Sequence, residues 1–154
     1  MNEIPEIGGQ SLVEIYAEKI RSLRTRSCAL DIPERENDAQ ILHTLLGIEL
    51  KVGRRRFACP DLATARYMCV FARLGCREFA IPYDITTIST LADELETSWQ
   101  RTNLLLNKNT SRMTDQQRKR GRSMLLKLIR IGISDIGPGE RMPEFKQSTK
   151  QRST

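Results

Sequence analysis

The sequence predicts an α+β fold, with about five helices around a small sheet of about three short strands, one β-α-β unit, a basic C-terminal helix and a mobile tail. Three observations predict it. Ser11 with Glu14 and Thr114 with Gln117 are spaced as reciprocal helix caps. Pro60 to Pro82 reads as helix, glycine and strand in immediate succession, and Ile88, Leu91, Ala92, Leu95 and Trp99 recur at helical spacing. At 154 residues the chain is long enough for one well-buried core. A single globular domain is expected over 1–140, with a basic flexible tail over 141–154.

The first helix follows Gly8-Gly9. Leu12, Ile15, Tyr16, Ile20 and Leu23 form its apolar face, and Lys19, Arg21, Arg24 and Arg26 crowd its later turns, where cations complement the helix dipole. A second helix is expected from Pro33 to about Gly47, with Glu34, Glu36 and Asp38 in its first turns. Ile48 to Val52 and Arg55 to Ala58 flank Gly53 as a hairpin. Pro60 and Asp61 then open a helix that runs through Ala65, Met68 and Phe71 to Leu74 and stops at Gly75. Cys76 to Ile81 follows as a strand, which implies a right-handed β-α-β crossover. A helix starts after Asp84, and a last one runs from about Thr114 to Ile136, closed by Gly137-Pro138-Gly139.

No apolar run approaches the ~20 residues of a membrane-spanning helix, and the acidic start carries no signal-peptide core, so a cytoplasmic protein with no membrane partner is expected. The cysteines at 28, 59, 69 and 76 are read as free thiols. The net charge of +6 is unevenly placed: −4 over residues 1–50, +1 over 51–100 and +9 over 101–154. One sign gathered at one end attracts polyanions.

In the stretch from Thr90 to Leu105, Ala92 is a small residue, Ser98 has capping chemistry, and Gln100, Arg101 and Asn103 follow. Residues 88–107 thereby resemble the helix-turn-helix segment of DNA-binding regulators. The resemblance implies two helices that approach at Ala92, a second helix capped by Ser98, and Gln100, Arg101 and Asn103 reaching bases or phosphates. Glu96 stands where such turns carry glycine. The other reading of the same residues is one uninterrupted amphipathic helix from about Ile85 to Leu106.

On the last helix Lys119, Arg120, Lys127 and Arg130 fall within an arc of about 100°, opposite Leu125, Leu128, Ile129 and Ile136. Arg122 lies in its first turns. Cys59 sits at a strand-to-helix junction, where a helix N-terminus can lower a thiol pKa, with Arg66 following. The spacing is not that of a phosphatase loop, however, and Asp61 would repel an anionic substrate. The cysteines form no Cys-x2-Cys pair, and the single His43, placed among leucines on a helix, reads as a partly buried residue. No cofactor or metal is expected, and catalysis is not favoured.

The leading expectation is a nucleic-acid-binding or regulatory accessory protein, with DNA as partner, whose contacts are Gln100, Arg101, Asn103, Lys108, Lys119, Arg120, Arg122, Lys127 and Arg130. The alternative is a non-enzymatic protein-interaction module, pairing with a helical partner or another copy through Leu104-Leu105-Leu106 and Met124-Leu125-Leu126. A small enzyme with a reactive Cys59 comes third. Whether Leu104 to Leu106 are exposed, and whether the cations share a surface, separates the first two.

Overall fold

The computed structural model describes residues 10–109 and 113–138. The 141–154 tail expected from the sequence lies outside them. Helix α1 (Leu12–Ile15) starts on the capping box of Ser11 and Glu14 and continues without a break as a π-helical stretch, Tyr16–Ile20. The remaining elements are β1 (Thr25–Ala29), β2 (Ala39–Thr44), β3 (Gly47–Val52), β4 (Arg55–Cys59), α2 (Leu62–Leu74), β5 (Glu78–Pro82), α3 (Ile85–Asn109) and α4 (Asp115–Ile136). Asp61 caps α2, Gly75 ends it with a left-handed φ of 86°, and Thr114 with Gln117 boxes the start of α4.

The mixed α+β class stands, but its details differ from the expectation. Four helices, not about five, are present among the described residues, and the strands form two antiparallel sheets, β1-β5 and β2-β3-β4. The helix expected from Pro33 to Gly47 is absent. Its second half is β2, where Ala39 is buried and Ile41 packs against the core while Gln40 and His43 are exposed, and Gly47, at φ 128°, closes a two-residue turn into β3. The acids read as a helix start serve elsewhere: Glu36 pairs with Arg122, and Asp31, just before them, pairs with Arg55. His43 is accordingly exposed on a strand, not half-buried on a helix. Arg24 and Arg26 do not lie in the first helix either, since Arg26 belongs to β1.

The β-α-β crossover also fails, since β4 and β5 belong to different sheets and β5 runs antiparallel to β1. Among the described residues, the other edge of β5 is met by side chains in place of a further strand. Tyr67 Oη donates 2.6 Å to the Ala80 carbonyl, and the Ala80 N–H donates 2.9 Å to Tyr16 Oη. Two tyrosine hydroxyls thus satisfy backbone groups that would otherwise require a strand. Tyr16, Tyr67, Phe71 and Phe79 form the aromatic centre of the core, with Phe71 and Phe79 stacked at 4.3 Å. Helix α2 is its axis, buried along nearly its whole length and packed against α3 on one side and β2 and β3 on another.

Candidate interaction surface

Helices α3 and α4 carry all nine residues expected to meet a nucleic acid. Helix α3 is continuous from Ile85 to Asn109, with no turn at Glu96. Ile88, Leu91, Ala92, Leu95 and Ser98 make its buried stripe. Glu96 is held there by Arg66, whose guanidinium bonds it at 3.0 and 2.7 Å and also bonds Asp93. Arg66 therefore answers carboxylates on α3 and is not directed to an anion at Cys59. Gln100 and Lys108 are exposed, whereas Asn103 Nδ2 donates 2.7 Å to the Trp99 carbonyl of its own helix. Arg101 borders a cavity of about 200 Å³ that it shares with Asp93 and Glu94.

Helix α4 is anchored by its C-terminal half. Leu126 and Ile133 are buried, Ile129 and Ile136 pack beside them, and a side chain at Gly132 would meet the Val13 methyls at 3.1 Å. Tyr16 Oη donates 2.6 Å to the Gly137 carbonyl, and Arg21 Nη1 donates 2.7 Å to that of Ile136, so the last carbonyls of α4 are satisfied from the first helix. Two of the expected phosphate contacts are drawn into this framework. Arg130 Nη1 donates 2.6 Å to the Leu74 carbonyl at the end of α2. Arg122 grips Glu36 with bonds of 2.8 and 2.7 Å and lies 5.8 Å over the Trp99 ring. Lys119, Arg120 and Lys127 are exposed and make no ion pair among the described residues.

The outward face of α4 is not purely cationic. Met124, Leu128 and Ile131 are 56%, 57% and 43% exposed, and at 100° per residue they span an arc of about 60° opposite Leu126 and Ile133. Leu128, expected on the core side, points to solvent because the buried face is centred on Leu126 and Ile133. Arg120 and Lys127 border one flank of this stripe. Gly121, where an added side chain would meet nothing within 4 Å, borders the other. The stripe is the feature that sequence reasoning missed, although its i, i+4, i+7 spacing was visible. On α3, Leu104 is 69% exposed, while Leu105 and Leu106 are half-buried.

Cys59 is not a poised nucleophile. Burial pushes its thiol pKa up, helped by the nearby Asp61 and Glu49, and only partly opposed by a backbone hydrogen bond from Leu50. The donors at the start of α2 are engaged by Asp61, which accepts 2.7 Å from the Thr64 N–H. No group of three or more metal-ligating side chains occurs among the described residues, and no helix there is long and apolar enough to cross a membrane. Comparison with protein-family models, with curated proteins and with solved structures finds no match for the chain.

Proposed function

We propose that this chain is a non-enzymatic protein-interaction module that receives an acidic, amphipathic helix of a partner protein along the outward face of α4. The observation that carries the reading is the Met124–Leu128–Ile131 stripe directly opposite the side of α4 that is already buried. Helix α4 has six basic and two acidic side chains, so pairing it with itself would set like fields together, while an acidic partner would be drawn in. Gly121 leaves room for close approach of another helix. Covering three half-exposed side chains is worth about 1 kcal/mol each, about 3 kcal/mol from this side of the contact, with the partner's own apolar side chains adding to it and charge steering the encounter. Four cysteines without disulfides fit the reducing cytoplasm in which this reading places the chain.

Nucleic-acid binding is the second reading, favoured by Lys119, Arg120 and Lys127 standing free on one helix. Three phosphate contacts would give a logarithmic salt slope of about −2.7. A single titration separates the two. Fluorescence anisotropy is followed with a labelled acidic helical peptide bearing leucines at i, i+4 and i+7, with its scrambled counterpart, and with duplex and single-stranded DNA, at two salt concentrations. The module reading expects binding of the patterned peptide over the scrambled one, lost in Leu128→Ser and weakened in Gly121→Ala. Equal binding of both peptides, or tight salt-dependent DNA binding that survives Leu128→Ser, overturns it. Self-association removed by Leu128→Ser would make the occupant a second copy and would equally overturn it.

A further inference from the structure

Two adjoining clefts lie between the C-terminal half of α4, the segment that follows β1 and the turn from α2 into β5. The larger, of about 490 Å³, is lined by Glu34, Lys127, Arg130, Ile131, Ser134 and Asp135. The smaller, of about 150 Å³, shares Glu34, Arg130 and Ser134 and adds Cys76, Arg77 and Glu78, whose carboxylate accepts a hydrogen bond from Ser27. The larger volume suits a small ligand.

The charges facing this space are of both signs, yet they do not neutralise one another. Among the described residues the side chains of Glu34, Arg77, Lys127 and Asp135 make no ion pair or hydrogen bond, and the Arg130 guanidinium is held by the Leu74 carbonyl alone. Glu34 stands on a wall separate from Lys127, Arg130 and Asp135. That wall is fixed, because the Arg35 backbone packs so tightly on Gly75 that an added Cβ would lie 2.2 Å from the Arg35 carbonyl oxygen. A simple anion would meet Glu34 and Asp135 unfavourably, and a simple cation would meet Lys127 and Arg130 in the same way. A molecule carrying both charges answers both sets.

We propose that the cleft binds a small zwitterion of the α-amino-acid class, its carboxylate toward Arg130 and Lys127, its ammonium toward Glu34 and Asp135, and its side chain against Ile131. Ser134 is the neutral donor and acceptor between them. The site needs no partner protein, so its failure would leave the α4 docking reading standing, and the reverse also holds.

The test is calorimetric titration of the full chain with the standard L-α-amino acids at up to about 10 mM, a range that captures weak ligands. Any that bind are followed by their α-keto acid and decarboxylated amine counterparts. Saturable binding by at least one amino acid is expected, falling about 10-fold in Glu34→Gln and in Lys127→Gln as one charge-assisted contact is lost, and falling similarly when either charged group of the ligand is removed. Neither variant touches an internal hydrogen bond, so folding is preserved and is checked by circular dichroism. Absence of saturable binding overturns the proposal. So does binding that both variants retain in full, or that the keto acid or amine reproduces.

Discussion

Gly75→Ala tests the contact that sets the wall of the cleft and the end of α2. Gly75 has a φ of +86°, and an added Cβ would fall 2.2 Å from Arg35 O and 2.5 Å from Arg35 N, both backbone atoms. The left-handed conformation costs a residue with a Cβ about 1–2 kcal/mol, and forcing packed backbone apart costs about 1–3 kcal/mol more. Alanine returns about 0.4–1 kcal/mol by restricting the unfolded chain. The net loss is then about 1–4.5 kcal/mol, centred on about 3 kcal/mol or about 6–12 °C in Tm for a chain of this size. Gly53→Ala is the control. Its φ is +60° but nothing lies within 4 Å, so only the conformational strain applies and the loss should stay within about 1 kcal/mol. Urea denaturation of both variants, followed by far-ultraviolet circular dichroism, measures the difference. If Gly75→Ala were no more destabilising than Gly53→Ala, the close packing of the 33–36 segment on the end of α2 would be refuted.

Two further outcomes follow from the core. Tyr16→Phe removes a donor to Gly137 and orphans the Ala80 N–H, whereas Tyr67→Phe removes one bond to the Ala80 carbonyl. Tyr16→Phe should cost about 2–3 kcal/mol and Tyr67→Phe about 1 kcal/mol less in the same denaturation assay, and a reversed order would refute the double role of Tyr16. The second outcome concerns alkaline pH. Burial raises the thiols of Cys28 and Cys76 from 9.0 to about 11 and about 12. Above pH 9 the unfolded chain loses these protons while the folded chain keeps them, so the folded state binds more and stability falls as pH rises toward 11. The decline is up to about 1.4 kcal/mol per thiol per pH unit, and Cys28→Ser with Cys76→Ala should make it shallower, leaving the part due to the other buried thiols and tyrosines. A stability profile of the parent chain that is level from pH 8 to 10.5 would contradict this burial.

Local signals were legible in the sequence wherever a short-range rule decided the outcome. The Ser11–Glu14 and Thr114–Gln117 boxes, the Asp61 cap and the Gly75 stop all lie where their spacing puts them. What was not legible depends on long-range partners. Ile41, Leu42, Leu45 and Leu46 recur at i, i+1, i+4 and i+5, which suits a helix, and pairing with β3 makes Ala39 to Thr44 a strand. The edge of β5 is occupied by hydroxyls from residues 13 and 64 positions away, which no local pattern reveals. The expected cationic site divides for the same reason. Arg130 shares an arc with Lys119 and Lys127 on a helical wheel and Arg122 lies outside it in the first turns, but Glu36 and the Leu74 carbonyl, both remote in sequence, take the two arginines into the framework.

The division of those cations bears on what α4 is for. An arginine that bonds a helix-end carbonyl or stacks over Trp99 holds α4 in place, and its long apolar stem fills space beside the core. Lys127 and Arg120 have no such task, and they sit beside the exposed stripe. Leaving Met124, Leu128 and Ile131 in water forgoes about 1 kcal/mol apiece. A helix whose only role was to cover the core would gain nothing from apolar residues on its far side. A positive flank disfavours pairing of two such helices while leaving the stripe open to a chain of opposite charge, and that combination of exclusion and attraction is what a selective docking surface requires.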